Sequence, residues 1–309
     1  MDEMPATVPL LTALQELHLI SCNKLQDLTH AFGNLKMLRC FRLENCTSIR
    51  QLPKSIGQLT NLQEMDLSGC TNITTLPSEM GCLVALNRLN LTRCKCLIRL
   101  PSEIGSLCKL TYLNLGRCGI ATLPPEIGKL QLLEDLSLSG CVRLEKLPKE
   151  IGQLGCLLQL NLSSCTSLKE LPHETGRLSS LQKLSLNSCT SLTRLPIEIY
   201  DLVKLQTLDL DYCKLLAQLP SEISNLHSLE RLSLNCCTRL SRLPVELASL
   251  PSLRVVNLVG CTGLKLQSMP KEIQAMAKEN TVYTKRDNDL VILEGPENPS
   301  FKLNGRTIY

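Results

Sequence analysis

Cysteine is the residue that invites chemistry in this chain, occurring 17 times in 309 residues alongside 4 histidines and 29 acidic side chains. Thiols at close spacing, with a histidine in reach, hold soft metals, form disulfides or act as nucleophiles. The spacing here argues against each. Eleven thiols, Cys22, Cys46, Cys70, Cys94, Cys118, Cys141, Cys165, Cys189, Cys213, Cys237 and Cys261, recur every 24 residues, with one step of 23. That is the period of a structural motif. The remaining six are Cys40, Cys82, Cys96, Cys108, Cys156 and Cys236. The two tight pairs, Cys94-Lys95-Cys96 and Cys236-Cys237, lack a second pair or a histidine at zinc-finger spacing, so no metal is expected. His18, His30, His173 and His227 occupy unrelated places in the repeat or lie far apart in the stack. No nucleophile, base and orienting acid recur together, so neither catalysis nor a cofactor is expected.

The period itself dictates the architecture. One copy reads Leu62, Met65, Leu67, Cys70, Ile73, Leu76, Pro77, Met80, Gly81, Leu83 and restarts at Leu86. In Leu-x-x-Leu-x-Leu the last two leucines alternate, which suits a short strand with one buried face. In Leu-Pro-x-Glu-Ile-Gly-x-Leu, a proline opens a segment with a glutamate two residues on and apolar residues three apart, which suits a short helical or 3₁₀ turn. A single copy buries too little to offset the entropy of ordering its backbone, so stability must come from neighbours. The expected fold is an α/β solenoid of about 11 repeats, on the order of 50 Å long, with a parallel inner sheet and short turns outside.

The ladder thiols then have a structural role as small buried groups with a weak donor. In-register side chains ~4.8 Å apart point the same way, which separates their Cβ atoms beyond disulfide geometry, so reduced thiols are expected. The column Glu79, Glu103, Glu126, Glu150, Glu174, Glu198, Glu222, Glu246 and Glu272 opens each turn, where a carboxylate meets amide dipoles, and is not read as a cation site.

Both halves of the repeat, Leu-x-x-Leu-x-Leu-x-x-Cys-x-x-Leu and x-x-Leu-Pro-x-Glu-Ile-Gly-x-Leu, resemble the leucine-rich repeat family over about residues 4–276. The resemblance implies a leucine-rich repeat horseshoe. The form Cys-x-x-Leu-x-x-Leu-Pro-x-x-Ile-Gly-x-Leu is most similar to repeats of plant intracellular nucleotide-binding leucine-rich-repeat disease resistance proteins and plant Ras-group leucine-rich repeat proteins. Those receptors carry a nucleotide-binding domain, and no G-x-x-x-x-G-K-[ST] phosphate loop occurs here. The resemblance therefore implies only the recognition or scaffolding role of the repeat region, in plant intracellular signalling or defence. The alternative is a remnant or fragment of a larger receptor with no independent activity.

Charge and the ends narrow the class. A net charge of +4 from 33 basic and 29 acidic residues, scattered along the chain, does not make a nucleic-acid groove. No apolar run reaches the length of a membrane span. The start lacks the basic opening and long apolar stretch of a signal peptide, which points to the cytoplasm, with the nucleus open. The triplets at Asn45, Asn72, Asn90 and Asn161 are then products of the motif rather than glycosylation sites. Met4, Pro5, Val8 and Leu11 align with Leu52, Pro53, Ile56 and Leu59, so residues 1–13 read as a partial repeat or N-terminal cap. The solenoid follows over 14–276. Residues 271–279 read as a longer amphipathic helix, and 277–309 as a C-terminal cap or tail in which Leu290 to Leu293 offers a last strand.

With the leucines committed to the core, recognition falls to the variable residues of the inner sheet. Arginine and tyrosine are common interface anchors. Arg88, Asn90, Arg93, Tyr112, Asn114 and Arg117 make a first candidate patch, suited to an acidic or phosphorylated protein surface. Asp209, Asp211 and Tyr212 make a second of opposite sign. Cys40 and Cys236 are expected on or beside the same face.

Overall fold

The structure is a computed structural model that describes residues 4–264 and 292–294. Each repeat contributes one three-residue strand: β1 (Glu16–His18), β2 (Cys40–Arg42), β3 (Glu64–Asp66), β4 (Arg88–Asn90), β5 (Tyr112–Asn114), β6 (Asp135–Ser137), β7 (Gln159–Asn161), β8 (Lys183–Ser185), β9 (Thr207–Asp209), β10 (Arg231–Ser233) and β11 (Val255–Asn257). They form one sheet in chain order, all parallel. A last strand, β12 (Ile292–Glu294), pairs antiparallel with β11, within reach of the apolar run expected to supply one. Residues 271–279 and Glu272 lie outside the described residues.

The outer segments are 3₁₀ turns, from Val8–Leu10 and His30–Asn34 through to Val245–Ser249. From the third turn on, a proline at the N-cap holds the entry extended, with φ of −70° at Pro77 and −65° at Pro172. Between sheet and turns, the middle residue of each strand joins the core, as Leu89, Leu113 and Leu136 do. The core is one continuous apolar column from Met4 to Leu264.

The ladder cysteines stitch this column from repeat to repeat. Ten of them, Cys46 to Cys261, donate from Sγ to a leucine carbonyl of the preceding repeat at 2.8–3.2 Å, as Cys70 does to Leu43 and Cys165 to Leu138. All 17 thiols are free. Burial pushes the Cys141 thiol up to about 11 and those of Cys70, Cys118 and Cys189 to about 12, which keeps these four protonated donors. The step of 23 shortens the loop after Cys118, and Tyr112 still pairs with Asp135 in register. Glycine is required there, because a Cβ on Gly119 would lie 2.5 Å from the Lys95 carbonyl oxygen.

Stacking on the outer side rests on a glycine column, Gly33 to Gly176, that gives way to Tyr200, Ser224 and Ala248 in the last three turns. A Cβ on Gly57 or Gly152 would lie 2.5 or 2.2 Å from the carbonyl oxygen of Glu79 or Glu174 in the next turn. The glutamate column therefore packs its backbone against these glycines. At the same place Tyr200 is fully buried, and its hydroxyl has no partner. The next turn starts with Pro220 at φ −80° and ψ 168°, displaced from the −65° and 147° of Pro196. Burial, with the charge of Glu222 adding, raises the Tyr200 phenol above its ordinary pKa.

Candidate functional site

The inner face is built by three rows of side chains. The first and third residues of each strand point away from the core, and a third row follows two residues later. Immediately after it comes a residue in the left-handed region in every one of the eleven repeats: Ser21, Asn45, Gly69, Arg93, Arg117, Gly140, Ser164, Ser188, Tyr212, Cys236 and Gly260. This turn swings the chain inward so that the following cysteine reaches the core. Glycine meets that geometry without strain, whereas a side chain there costs on the order of 1 kcal/mol. Arg93, Arg117 and Tyr212 occupy it with φ of 65°, 59° and 59°.

The third strand residue prepares the same turn. Side-chain oxygens of Asp66, Asn90, Asn114, Asn161 and Asp209 each accept the backbone N–H two residues on, at 2.7–3.1 Å. These are Asx turns. They give Asn90, Asn114 and Asp209 a local structural task in addition to any contact with a partner. Asn90 also donates to Asp66 at 2.8 Å, and Asn114 to the Tyr112 hydroxyl at 3.0 Å.

The structure divides the first candidate patch in two. On the strands, the Arg88 guanidinium stacks over the Tyr112 ring at 4.2 Å from its centroid. Glu64 lies directly opposite Arg88 on β3 and approaches Arg42 at 3.9 Å. Asp135 follows Tyr112 on β6; burial raises its carboxyl pKa, and the charges of Arg88 and Lys183 partly offset that shift. This row therefore alternates in sign across Glu64, Arg88 and Asp135. Beyond the strands, Arg93 and Arg117 stand exposed in adjacent left-handed turns, bounded in their column by Gly69 and Gly140. Arg42, Glu64, Met65, Asp66, Arg88, Asn90 and Tyr112 line a shallow depression of about 150 Å³.

The second patch is tied together by Asp211. Its carboxylate accepts from Ser233 Oγ at 2.6 Å, from Asn235 N at 2.7 Å and from Asn235 Nδ2 at 2.9 Å, bridging two repeats. Burial raises the carboxyl of Asp209 above its ordinary pKa; the N–H of Asp211 opposes the shift and the Asp211 charge adds to it. Tyr212 stands exposed beside them.

One contact on this face resembles a catalytic pair. Cys40 Sγ lies 3.7 Å from His18 Nε2. Burial nevertheless raises the Cys40 thiol, despite Arg42 beside it, and a protonated thiol is a poor nucleophile. Among the described residues, no group of three or more His, Cys, Asp or Glu side chains is arranged to hold a metal ion, and no helix is long and apolar enough to cross a membrane.

Known proteins agree with this architecture. The profile of the leucine-rich repeat region family matches residues 1–111 and 89–193, and a leucine-rich repeat profile matches 204–226. These matches cover more than half of the chain, which belongs to the leucine-rich repeat family. That fold commonly mediates protein–protein recognition and is typically non-catalytic. Among solved structures, a leucine-rich repeat protein of Leptospira interrogans is 30% identical over 91% of this chain and 86% of its own, with a TM-score of 0.47. The leucine-rich repeat domain of the type III effector XopL is 29% identical over 65% of this chain and 70% of its own, with a TM-score of 0.59. The Toll–Spätzle complex of Drosophila aligns at 20% identity over 91% of this chain and 38% of its own, with a TM-score of 0.57. No curated protein sequence matches the chain.

Proposed function

We propose that this chain is a non-catalytic protein-recognition module or scaffold that engages a protein partner on its concave face, in plant intracellular signalling or defence. The observation that carries this reading is the Arg88–Tyr112 stack, with Arg93 and Arg117 kept in left-handed turns where glycine would be less strained. Anchors of this kind, pre-stacked on a rigid sheet, lose little side-chain entropy on binding. The alternating signs of Arg42, Glu64, Arg88 and Asp135 favour a partner surface of mixed charge over a purely acidic one. The plant context rests on the Cys-x-x-Leu-x-x-Leu-Pro-x-x-Ile-Gly-x-Leu form of the repeat. The same reading treats residues 14–276 as the recognition solenoid, flanked by a partial repeat or cap over 1–13 and a cap or tail over 277–309.

The test is proximity labelling in plant cells with the native chain and an Arg88→Glu/Arg117→Glu variant, both sites being exposed. Labelled proteins lost from the variant are the expected result. Identical labelling from both would remove this patch and favour a remnant of a larger receptor.

A further inference from the structure

The N-terminal end of the stack exposes what the next repeat buries. Leu14, Leu17, Leu19 and Cys22 are only half-buried, whereas their counterparts Leu38, Phe41, Leu43 and Cys46 are at 0% exposure. Around them Leu10, Leu11 and Ile20 are 72%, 53% and 54% exposed. Among the described residues, no strand pairs with the outer edge of β1. That edge carries no proline, lysine or bulge to deter pairing.

The backbone direction fixes what such an edge accepts. The Gln15 carbonyl accepts from Arg39 N and Cys40 N, and Leu19 N donates to the Arg42 carbonyl, so odd-numbered residues face β2. The N–H and C=O groups of Glu16 and His18 therefore face outward. Two outward residues flanking a central one is the pattern for an antiparallel pair about a twofold axis.

We propose that β1 pairs antiparallel with β1 of a second copy, about a twofold axis normal to the sheet that passes midway between the two Leu17 residues. In that register Glu16 of each copy lies opposite the partner's His18 in a hydrogen-bonded pair, and the two Leu17 side chains meet. The pairing sets a carboxylate opposite an imidazole twice over. Glu16 and His18 already stand side by side, with Oε2 3.8 Å from Nε2. The twofold also sets Leu11 and Leu14, which precede the strand, against Leu19 and Ile20, which follow it, covering the open core. Each copy uses the same edge against its partner, so the assembly closes as a dimer. Both concave faces stay on one side of the joined sheet, which makes the dimer bivalent toward a partner. None of the residues assigned to partner recognition takes part.

Sedimentation velocity of the full chain over about 1–100 µM tests this. The expected result is a concentration-dependent shift from the 34.3 kDa monomer to twice that mass. His18→Glu sets carboxylates opposite each other in both pairs and should weaken the dimer about tenfold or more. Glu16→Arg/His18→Glu restores opposite charges and should restore the dimer. Arg88→Glu/Arg117→Glu should leave it unchanged. A monomer at every concentration, a dimer insensitive to His18→Glu, no rescue by the double variant, or a dimer dissolved by the Arg88/Arg117 changes would each overturn the proposal.

Discussion

Thr175 stands in a column that is otherwise Ile56, Met80, Ile104, Ile127, Ile151, Ile199, Ile223 and Leu247, the apolar residue of each outer turn. It is fully buried, and its hydroxyl has no hydrogen-bond partner among the described residues. Thr175→Val keeps the shape and exchanges that hydroxyl for a methyl group. Relieving an unsatisfied buried hydroxyl is worth about 1–3 kcal/mol. The added methyl burial contributes about 0.8 kcal/mol more, trimmed by residual burial in the unfolded chain. The variant should therefore be more stable by about 1–3 kcal/mol, against the usual direction for a core substitution. Urea unfolding followed by circular dichroism reads this as a higher midpoint with an unchanged slope. The mirror change, Ile151→Thr in the preceding turn, should lose about 2–4 kcal/mol. A Thr175→Val midpoint at or below that of the native chain would refute the reasoning, because the hydroxyl would then have to be satisfied in the folded state.

Cys165→Ala removes the donor to the Leu138 carbonyl and should lose about 1–3 kcal/mol in thermal or urea unfolding, while Cys156→Ala, at an exposed site, should stay within about 0.5 kcal/mol. Leu113→Asp places a charge at a fully buried strand position and should lose about 3 kcal/mol or more, with local loss of structure visible by hydrogen exchange. Asp209 has a carboxyl raised by burial, so its ionised form opposes folding; that penalty is absent below the unfolded pKa of about 3.9 and grows as pH rises through the folded value. Asp209→Asn should accordingly melt higher than the native chain at pH 7 and lose that advantage near pH 3.

The repeat made most of the fold legible. Strand positions, the inner sheet, the outer turns and the structural role of the ladder thiols all follow from a 24-residue period, because one buried face per strand leaves one register. Three features did not follow. The left-handed residue before each cysteine is serine, asparagine, glycine, arginine, tyrosine or cysteine, so composition hides a conformation set by the need to turn the thiol inward. The wedge at Tyr200 replaces a glycine whose tight fit depends on the next repeat's carbonyl, a distance that sequence does not state. The backbone tasks of Asn90, Asn114 and Asp209 depend on side-chain oxygens accepting the N–H two residues on, a geometry that spacing alone does not state.

That distinction bears on how the candidate site should be dissected. Asn90, Asn114, Asp209 and Asp211 face outward, yet each also holds backbone or neighbouring side chains in place. Alanine at any of them would free a backbone N–H and loosen a turn, so lost binding would mix recognition with disorder of the surface. Arg88 and Arg117 make no backbone contact of this kind through their side chains among the described residues. Removing Arg88 also breaks its stack on Tyr112, so Arg117 gives the cleaner report on the partner. A binding defect confined to Arg88, Arg93, Tyr112 and Arg117, with the thermal transition unmoved, would locate recognition on repeats four and five. A defect that tracks stability through the Asx residues would instead reflect the scaffold.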